Sequence, residues 1–262
     1  MECQSTIKHL KINKNKVLGD VVILVEGESE EFKLLKHIFT KIFDYNYIPI
    51  KRNKVMQDVF KSKSNNTSTI IIANTANSNI KSIMEDDNYK DKLYEILKKD
   101  YNRSLKNVPI YILWDRDAES NKGEIVLKTL NTFSSALDND YDMNGLLLLS
   151  YPCIEIFELS NFDKRLWKEN FTSSGLAKKK MKDSIPKLTS INEKTLLLAV
   201  ENMHRIMKNY GILQYDSTNF KKENLQIFIN ETNEYLEYGY FNALSLVSIM
   251  LIDLGLIIEK ND

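Results

Sequence analysis

Four short runs of mostly apolar residues constrain the fold of this chain more than any other feature. The runs span residues 21–25, 69–73, 108–114 and 145–149. Such runs, rich in branched side chains and bounded by polar residues, are typical of strands buried on both faces of a parallel sheet. Between them lie segments with helical periodicity, at residues 32–39, 80–99 and 124–137. This alternation predicts an α/β fold, with a parallel sheet flanked by helices.

Beyond residue 160 the pattern changes, because the strand signals stop. Residues 192–210, 221–235 and 241–258 each have the periodicity of a helix. We therefore expect an α/β domain at residues 18–160, with one further short strand at residues 48–50 and a loop at 62–68. A mostly helical domain would follow at residues 161–262, where it grips substrate, docks a partner or forms a homodimer through the C-terminal helices.

Charge and cysteine content narrow the class of protein. The 36 basic and 36 acidic residues balance, so no global field attracts nucleic acid, although a local basic groove would suffice. Residues 161–190 hold 8 basic and 3 acidic side chains, and the lysines at 178–180 and 182 either grip phosphates or form a solvated helix face. Cys3 and Cys153 lie too far apart for a disulfide framework or a cysteine zinc site, which favours reduced thiols in the cytoplasm.

Three further absences in the sequence shape the expected setting. The polar residues 1–20 lack the apolar core of a signal peptide. The longest apolar stretch, residues 243–258, is shorter than a bilayer span and contains polar residues, so we expect no membrane association. The phosphate-binding sequence of P-loop ATPases is missing as well, and any ATPase would have to be a separate chain.

Acidic residues follow three of the four predicted strands. They are Glu26 and Glu30 after the first, Asp115, Asp117 and Glu119 after the third, and Glu155 and Glu158 after the fourth. The carboxyl ends of parallel strands lie at one edge of a sheet, which is where ligands of such folds bind. We therefore expect these carboxylates to gather there, and we expect Glu28, Glu31 and Asp138 to be ordinary solvated residues.

Carboxylates that crowd together repel one another unless a cation lies among them. Their oxygens suit a hard divalent ion such as Mg²⁺ or Mn²⁺, which proteins hold with a few carboxylates together with substrate phosphates. Two such ions serve phosphodiester hydrolysis by activating water and stabilising the leaving oxygen. The sequence therefore predicts a metal site with Glu26, Asp115 and Asp117 at its centre.

Two of these segments resemble the motifs of the Toprim family. Residues 22–30, Val-Ile-Leu-Val-Glu-Gly-Glu-Ser-Glu, resemble its first motif, a strand ending in Glu-Gly, and residues 112–117, Ile-Leu-Trp-Asp-Arg-Asp, resemble its second, a strand ending in Asp-x-Asp. Glu30 is similar to the additional glutamate of overcoming-lysogenization-defect nucleases. Residues 150–157, Ser-Tyr-Pro-Cys-Ile-Glu-Ile-Phe, resemble the stretch Ser-Asn-Pro-Cys-Phe-Glu-Leu-Trp of RloB-like proteins. Tyr151 stands where that stretch has Asn, and Ile154 stands where it has Phe.

The resemblance, which covers residues 18–160, implies Mg²⁺-dependent phosphodiester chemistry. By that analogy Glu26 is a ligand or general base, Asp115 and Asp117 are ligands, and Glu30 and Glu119 are second-site ligands. It further implies a nucleic-acid substrate, tRNA or DNA, and a separate ABC-type ATPase partner in a bacterial anti-phage system, including PARIS-type pairs. Two alternatives stay open: a housekeeping Toprim nuclease that processes RNA, and a catalytically silent Toprim module that only binds.

Overall fold

The structure is a computed structural model and describes residues 10–27, 29–48, 57–65, 67–74, 107–137, 145–184 and 186–259. Its strands are β1 Leu10–Ile12, β2 Asp20–Val25, β3 Tyr45–Ile48, β4 Gln57–Ser62, β5 Thr69–Asn74, β6 Ile110–Asp115, β7 Ser134–Ser135, β8 Gly145–Tyr151, β9 Asn170–Phe171, β10 Phe241–Asn242, β11 Leu244–Ser245 and β12 Ile257–Glu259. Its α-helices are α1 Glu30–His37, α2 Gly123–Thr132, α3 Glu155–Ser160, α4 Ser174–Ser184, α5 Glu193–Asn209, α6 Lys221–Tyr238 and α7 Val247–Asp253. Within these ranges, no helix combines the length and apolar character needed to cross a bilayer.

An eight-stranded mixed sheet forms the centre of the fold. Its strand order is β11-β8-β6-β2-β5-β4-β3, and β7 pairs with β8. The four middle strands β8, β6, β2 and β5 run parallel, while β3, β4, β7 and β11 are antiparallel to their neighbours. The prediction of an α/β fold is therefore confirmed, with antiparallel strands added at both edges of the sheet.

The apolar runs form the middle of this sheet because helices cover both its faces. Residues 21–25 of β2 are all buried, and residues 145–151 of β8 are buried along their whole length. Helix α1 buries Phe32 and Leu35, and α5 buries Leu196 and Met203 in the same core. Asn192 begins α5 by accepting hydrogen bonds from two main-chain N–H groups, the arrangement expected of a helix cap.

The C-terminal region differs from the predicted third helix at residues 241–258. Only Val247–Asp253 is α-helical there, and the rest forms β10, β11 and β12. A continuous apolar run is compatible with a helix or with a strand. Here the unpaired edge of β8 favours a strand, because β11 pairs with Tyr151 and Ser150. The polar N-terminal segment also contains a strand, since β1 pairs with β12.

Other predicted boundaries moved by a few residues. The helix predicted at 124–137 ends at Thr132, and its last residues include β7. Strand β3 ends at Ile48, and Pro49 and Ile50 lie outside the described residues. The helix predicted at residues 80–99 also lies outside them.

Candidate functional site

Glu26 and Asp115 meet at the carboxyl edge of the parallel strands. Asp115 is the last residue of β6, and Glu26 directly follows β2. The two strands pair in parallel with Val25 opposite Leu113, so the chain leaves both at the same edge. There the main-chain N–H of Asp115 donates a hydrogen bond to Glu26 Oε2 at 3.1 Å. The structure thus brings Glu26 of the Glu-Gly segment next to Asp115, the first aspartate of the Asp-x-Asp segment.

Asp117 lies in a turn that folds back on itself. Its Oδ1 accepts a bond from the Glu119 N–H at 3.2 Å, and its Oδ2 accepts one from Ser120 Oγ at 3.2 Å. Asn121 closes the turn by donating from Nδ2 to the carbonyl of Asp115 at 3.1 Å. The turn therefore fixes the main chain on which Asp115 and Asp117 stand.

Arg116 points away from the two aspartates, as alternation along an extended segment predicts. It is buried, and its Nη1 donates to the carbonyl of Asn121 at 2.8 Å. Its guanidinium lies 5.4 Å from the ring centre of Phe228 and 5.5 Å from that of Phe241. Arg116 thus ties the turn to α6 and β10 instead of facing the acids.

The first turn of α3 supplies a second group of acids. Asp115 Oδ1 accepts a hydrogen bond from the N–H of Ile154 at 2.7 Å, which holds the start of α3 against β6. Glu155 and Glu158 are each only 4% exposed. Glu155 Oε2 is buried without a hydrogen-bond partner among the described residues. An unpartnered carboxylate oxygen of this kind is costly to bury.

Glu31 is the site residue that the sequence reasoning missed. We expected a solvated side chain, but Glu31 is 8% exposed and its Oε1 accepts a bond from the Gly27 N–H at 3.0 Å. The reason is helical geometry: Glu31 lies one turn before Leu34 and Leu35, on the face of α1 that packs into the core. That spacing was the signal in the sequence. Glu28 and Asp138 lie outside the described residues.

Glu30 and Glu119 lie at the periphery of the cluster. Glu30 forms an exposed ion pair with Lys33 at 2.8 Å, and this bond holds the pKa of Glu30 below its usual value. Glu119 is exposed in the turn after β6. The structure therefore places Glu31 and Glu155, not Glu30 and Glu119, beside Glu26 and Asp115.

Burial and mutual repulsion disfavour ionisation of Glu26, Glu31, Asp115 and Glu158. Desolvation raises the pKa of Glu26 to about 7, and the carboxylates of Glu31 and Asp117 push it in the same direction. Desolvation, with Glu26 and Glu155 nearby, raises the pKa of Asp115 well above its usual range. The pKa of Glu158 rises to about 7 for the same two reasons. Burial and repulsion therefore favour the protonated forms of Glu26, Asp115 and Glu158 in the metal-free protein.

Lys178 of α4 brings positive charge to this cluster. Its Nζ lies 3.7 Å from Glu155 Oε1, while about half of its side chain stays exposed. Burial opposes its charge, but the carboxylates of Glu155, Asp115 and Glu31 outweigh that effect and raise its pKa. Lys180, in contrast, is ion-paired with Asp163 and Glu169. Of these two lysines, Lys178 is the one that lies next to the cluster of Glu26, Asp115 and Glu155.

The donors present suit a hard divalent ion, although they are not assembled around one. Within the described ranges, no three acidic, histidine or cysteine side chains have the arrangement of a ready metal site. One oxygen each of Glu26 and Asp115 is engaged by a main-chain N–H. The carboxylate chemistry and the unpartnered oxygen of Glu155 nevertheless fit Mg²⁺ or Mn²⁺.

Comparison of the chain with family models, with curated proteins and with solved structures gave no match. The function must therefore be inferred from the site. Its features are buried carboxylates from separate segments, the carboxyl edge of a parallel sheet and one lysine at the opening. Such an arrangement is suited to reactions of phosphate groups that need a divalent ion.

Proposed function

We propose that this chain is a Toprim-type nuclease that hydrolyses phosphodiester bonds of nucleic acid with Mg²⁺ or Mn²⁺. The hydrogen bond between the Asp115 N–H and Glu26 Oε2 carries the proposal. It sets the glutamate of the Glu-Gly segment beside the first aspartate of the Asp-x-Asp segment. The order of elements supports the same assignment, because the two segments end neighbouring parallel strands, β2 and β6.

Three carboxylates are the best candidates to hold the cation, those of Glu26, Asp115 and Glu155. Asp117 lies at the outer side of the cluster, where it would hold a second ion or the substrate's water shell. When bound, the ion would supply positive charge that stabilises the negative charge developing on the phosphate. Its field would also lower the pKa values of the surrounding acids and favour their ionised forms.

The protein's own groups have distinct roles in this proposal. Glu26 is either a ligand or the base that accepts a proton from the attacking water. Lys178 Nζ, at the opening of the cluster, would stabilise the phosphate charge directly. The turn held by Arg116 and Asn121 keeps the aspartates in position while substrate binds.

The biological setting is proposed on the sequence resemblance alone. We propose that the nuclease is an effector of bacterial anti-phage defence, acting on tRNA or DNA under the control of a separate ABC-type ATPase. The exposed segments around the cluster leave room for such control, because α4 presents charged residues to solvent beside the site.

Cleavage assays test this proposal. The full chain is incubated with labelled tRNA and with duplex DNA in Mg²⁺, in Mn²⁺ and in EDTA, with and without any ABC-type ATPase that a neighbouring gene is found to encode. We expect cleavage only with a divalent ion and its loss in Glu26→Gln. Equal cleavage by Glu26→Gln, or cleavage in EDTA, would contradict the assignment. The matched control is Glu124→Gln, an exposed glutamate in the first turn of α2.

A further inference from the structure

The four lysines of α4 divide into two sets on opposite flanks of the helix. Lys180 faces Asp163, at 3.5 Å, and Glu169. Lys178 faces the acidic cluster. Lys182 follows Lys178 by four residues and so lies on the same flank, one turn further from the cluster. Lys179 lies beside them and is exposed, as is Lys182.

The packing of α4 fixes which way this flank faces. Ala177 is fully buried in a small apolar cluster, and Met181, one turn later, packs against the same cluster. These two contacts prevent the helix from turning about its axis. Lys178, Lys179 and Lys182, called here the α4 lysine strip, therefore remain on the exposed side that begins at the acids.

The chain segment that contains the strip carries an excess of positive charge. Residues 161–190 hold 8 basic and 3 acidic side chains in a chain whose total charge is zero. Lysines four residues apart repel each other and weaken a helix slightly. Within the described residues, the ion pairs of α4 involve Lys178 and Lys180, which leaves Lys179 and Lys182 directed at solvent.

We propose that the α4 lysine strip holds the phosphate backbone of a nucleic-acid strand beside the bond to be cut. The inference rests on the proposed nuclease function and adds the surface that binds the substrate. A polyanion that approaches several carboxylates is repelled, and the neutral chain as a whole offers no attraction. A row of lysines that starts at the acids supplies that attraction locally.

The spacing of the strip agrees with this role. Helical rise places Lys178 and Lys182 about 6 Å apart along the axis. Flexible lysine side chains at that separation can contact neighbouring phosphates of one strand. Lys178 would then contact the phosphate at the site, and Lys182 and Lys179 those that follow it.

Binding without cleavage tests the strip separately from the nuclease proposal. In EDTA, the anisotropy of a fluorescent 20-nucleotide RNA and of a 20-base-pair DNA gives Kd over a series of KCl concentrations. We expect Lys179→Gln with Lys182→Gln to weaken binding roughly 5- to 20-fold at low salt, and to lower the salt slope by about 1.4 for the single strand. Lys221→Gln with Lys222→Gln, two exposed lysines that begin α6, is the matched control and should bind as wild type.

Several results would overturn the inference. The first is that the wild type binds neither nucleic acid. The second is that the strip variant has the same Kd and salt slope as the wild type. The third is that a poly-glutamate peptide binds the strip as tightly as RNA does. The last result would assign the strip to an acidic protein partner. If the strip variant cleaves and its binding is unchanged, the proposal for the strip is refuted while the nuclease proposal stands. If binding depends on the strip but the wild type does not cleave in Mg²⁺ or Mn²⁺, the proposal for the strip stands and the nuclease proposal is refuted.

Discussion

Replacing Glu26 with glutamine should change how the stability of the metal-free protein depends on pH. Burial and neighbouring carboxylates raise the pKa of Glu26 from 4.5 to about 7. The folded protein therefore binds this proton more tightly than the unfolded chain does. Stability from this group is present below the unfolded pKa and is lost as pH rises through the folded one. Glutamine stays neutral and copies the protonated form at every pH.

The raised pKa sets the size of the effect. An increase from 4.5 to about 7 corresponds to about 3 kcal/mol of unfolding free energy. Roughly 2.5 kcal/mol of this is lost between pH 5 and pH 8, because part of the loss has already occurred at pH 5. The wild type should therefore lose about that much more stability than Glu26→Gln over this range.

Urea unfolding in EDTA at pH 5, 6, 7 and 8 measures this difference. Wild type and Glu26→Gln should give converging unfolding free energies at low pH and diverging ones at pH 8, with Glu26→Gln the more stable. The control Glu124→Gln, an exposed residue, should run parallel to wild type. Parallel curves for wild type and Glu26→Gln would refute the reasoning, because they would mean that Glu26 has an ordinary pKa in the folded protein.

Three further substitutions test the support around the acids. Gly27→Ala should displace the Glu31 carboxylate, since an added Cβ would lie 2.7 Å from its Oε1; unfolding should change by less than about 1 kcal/mol, and Mn²⁺ titration should show weaker binding. Asn121→Ala should cost about 1–3 kcal/mol in urea unfolding, because the buried carbonyl of Asp115 loses its donor. Lys178→Gln should lower kcat for cleavage roughly 10- to 100-fold with intact folding, because positive charge beside the phosphate is lost.

Matched controls separate these effects from general damage. Gly19→Ala adds a Cβ with nothing within 4 Å and should leave Mn²⁺ binding unchanged. Asn131→Ala removes a bond to a carbonyl on the exposed side of α2 and should cost much less than the change at Asn121. Lys222→Gln should not alter kcat. Equal effects of a variant and its control would contradict the role assigned to the residue in question.

The middle of the fold was predictable because its strands are buried on both faces. Residues 21–25, 70–73 and 146–149 are apolar throughout, and a run of that kind has few other uses in a chain rich in charge. Strand β4, Gln57–Ser62, was not predicted, because polar residues interrupt it and its place depends on pairing with β5. The two-residue strand β11 has no periodicity to detect, and only the free edge of β8 explains it.

The candidate site was predictable as far as it depends on strand ends. Glu26 directly follows β2 and Asp115 is the last residue of β6. The local apolar pattern shows where these two strands end, and so it predicts both positions. The inner positions of Glu31 and Glu155 depend on how α1 and α3 pack on the sheet, and such long-range packing leaves only a weak periodic signal in sequence. For the same reason the sequence did not single out Lys178 among the lysines of α4.

The direct test of the central claim is the binding of Mn²⁺ by the full chain, measured by calorimetry and by the electron paramagnetic resonance of the free ion. The account predicts that wild type binds Mn²⁺ at neutral pH, that binding strengthens between pH 6 and 8, and that Asp115→Asn and Glu155→Gln each abolish it. Retained binding in both variants, or no binding by the wild type, would contradict the account.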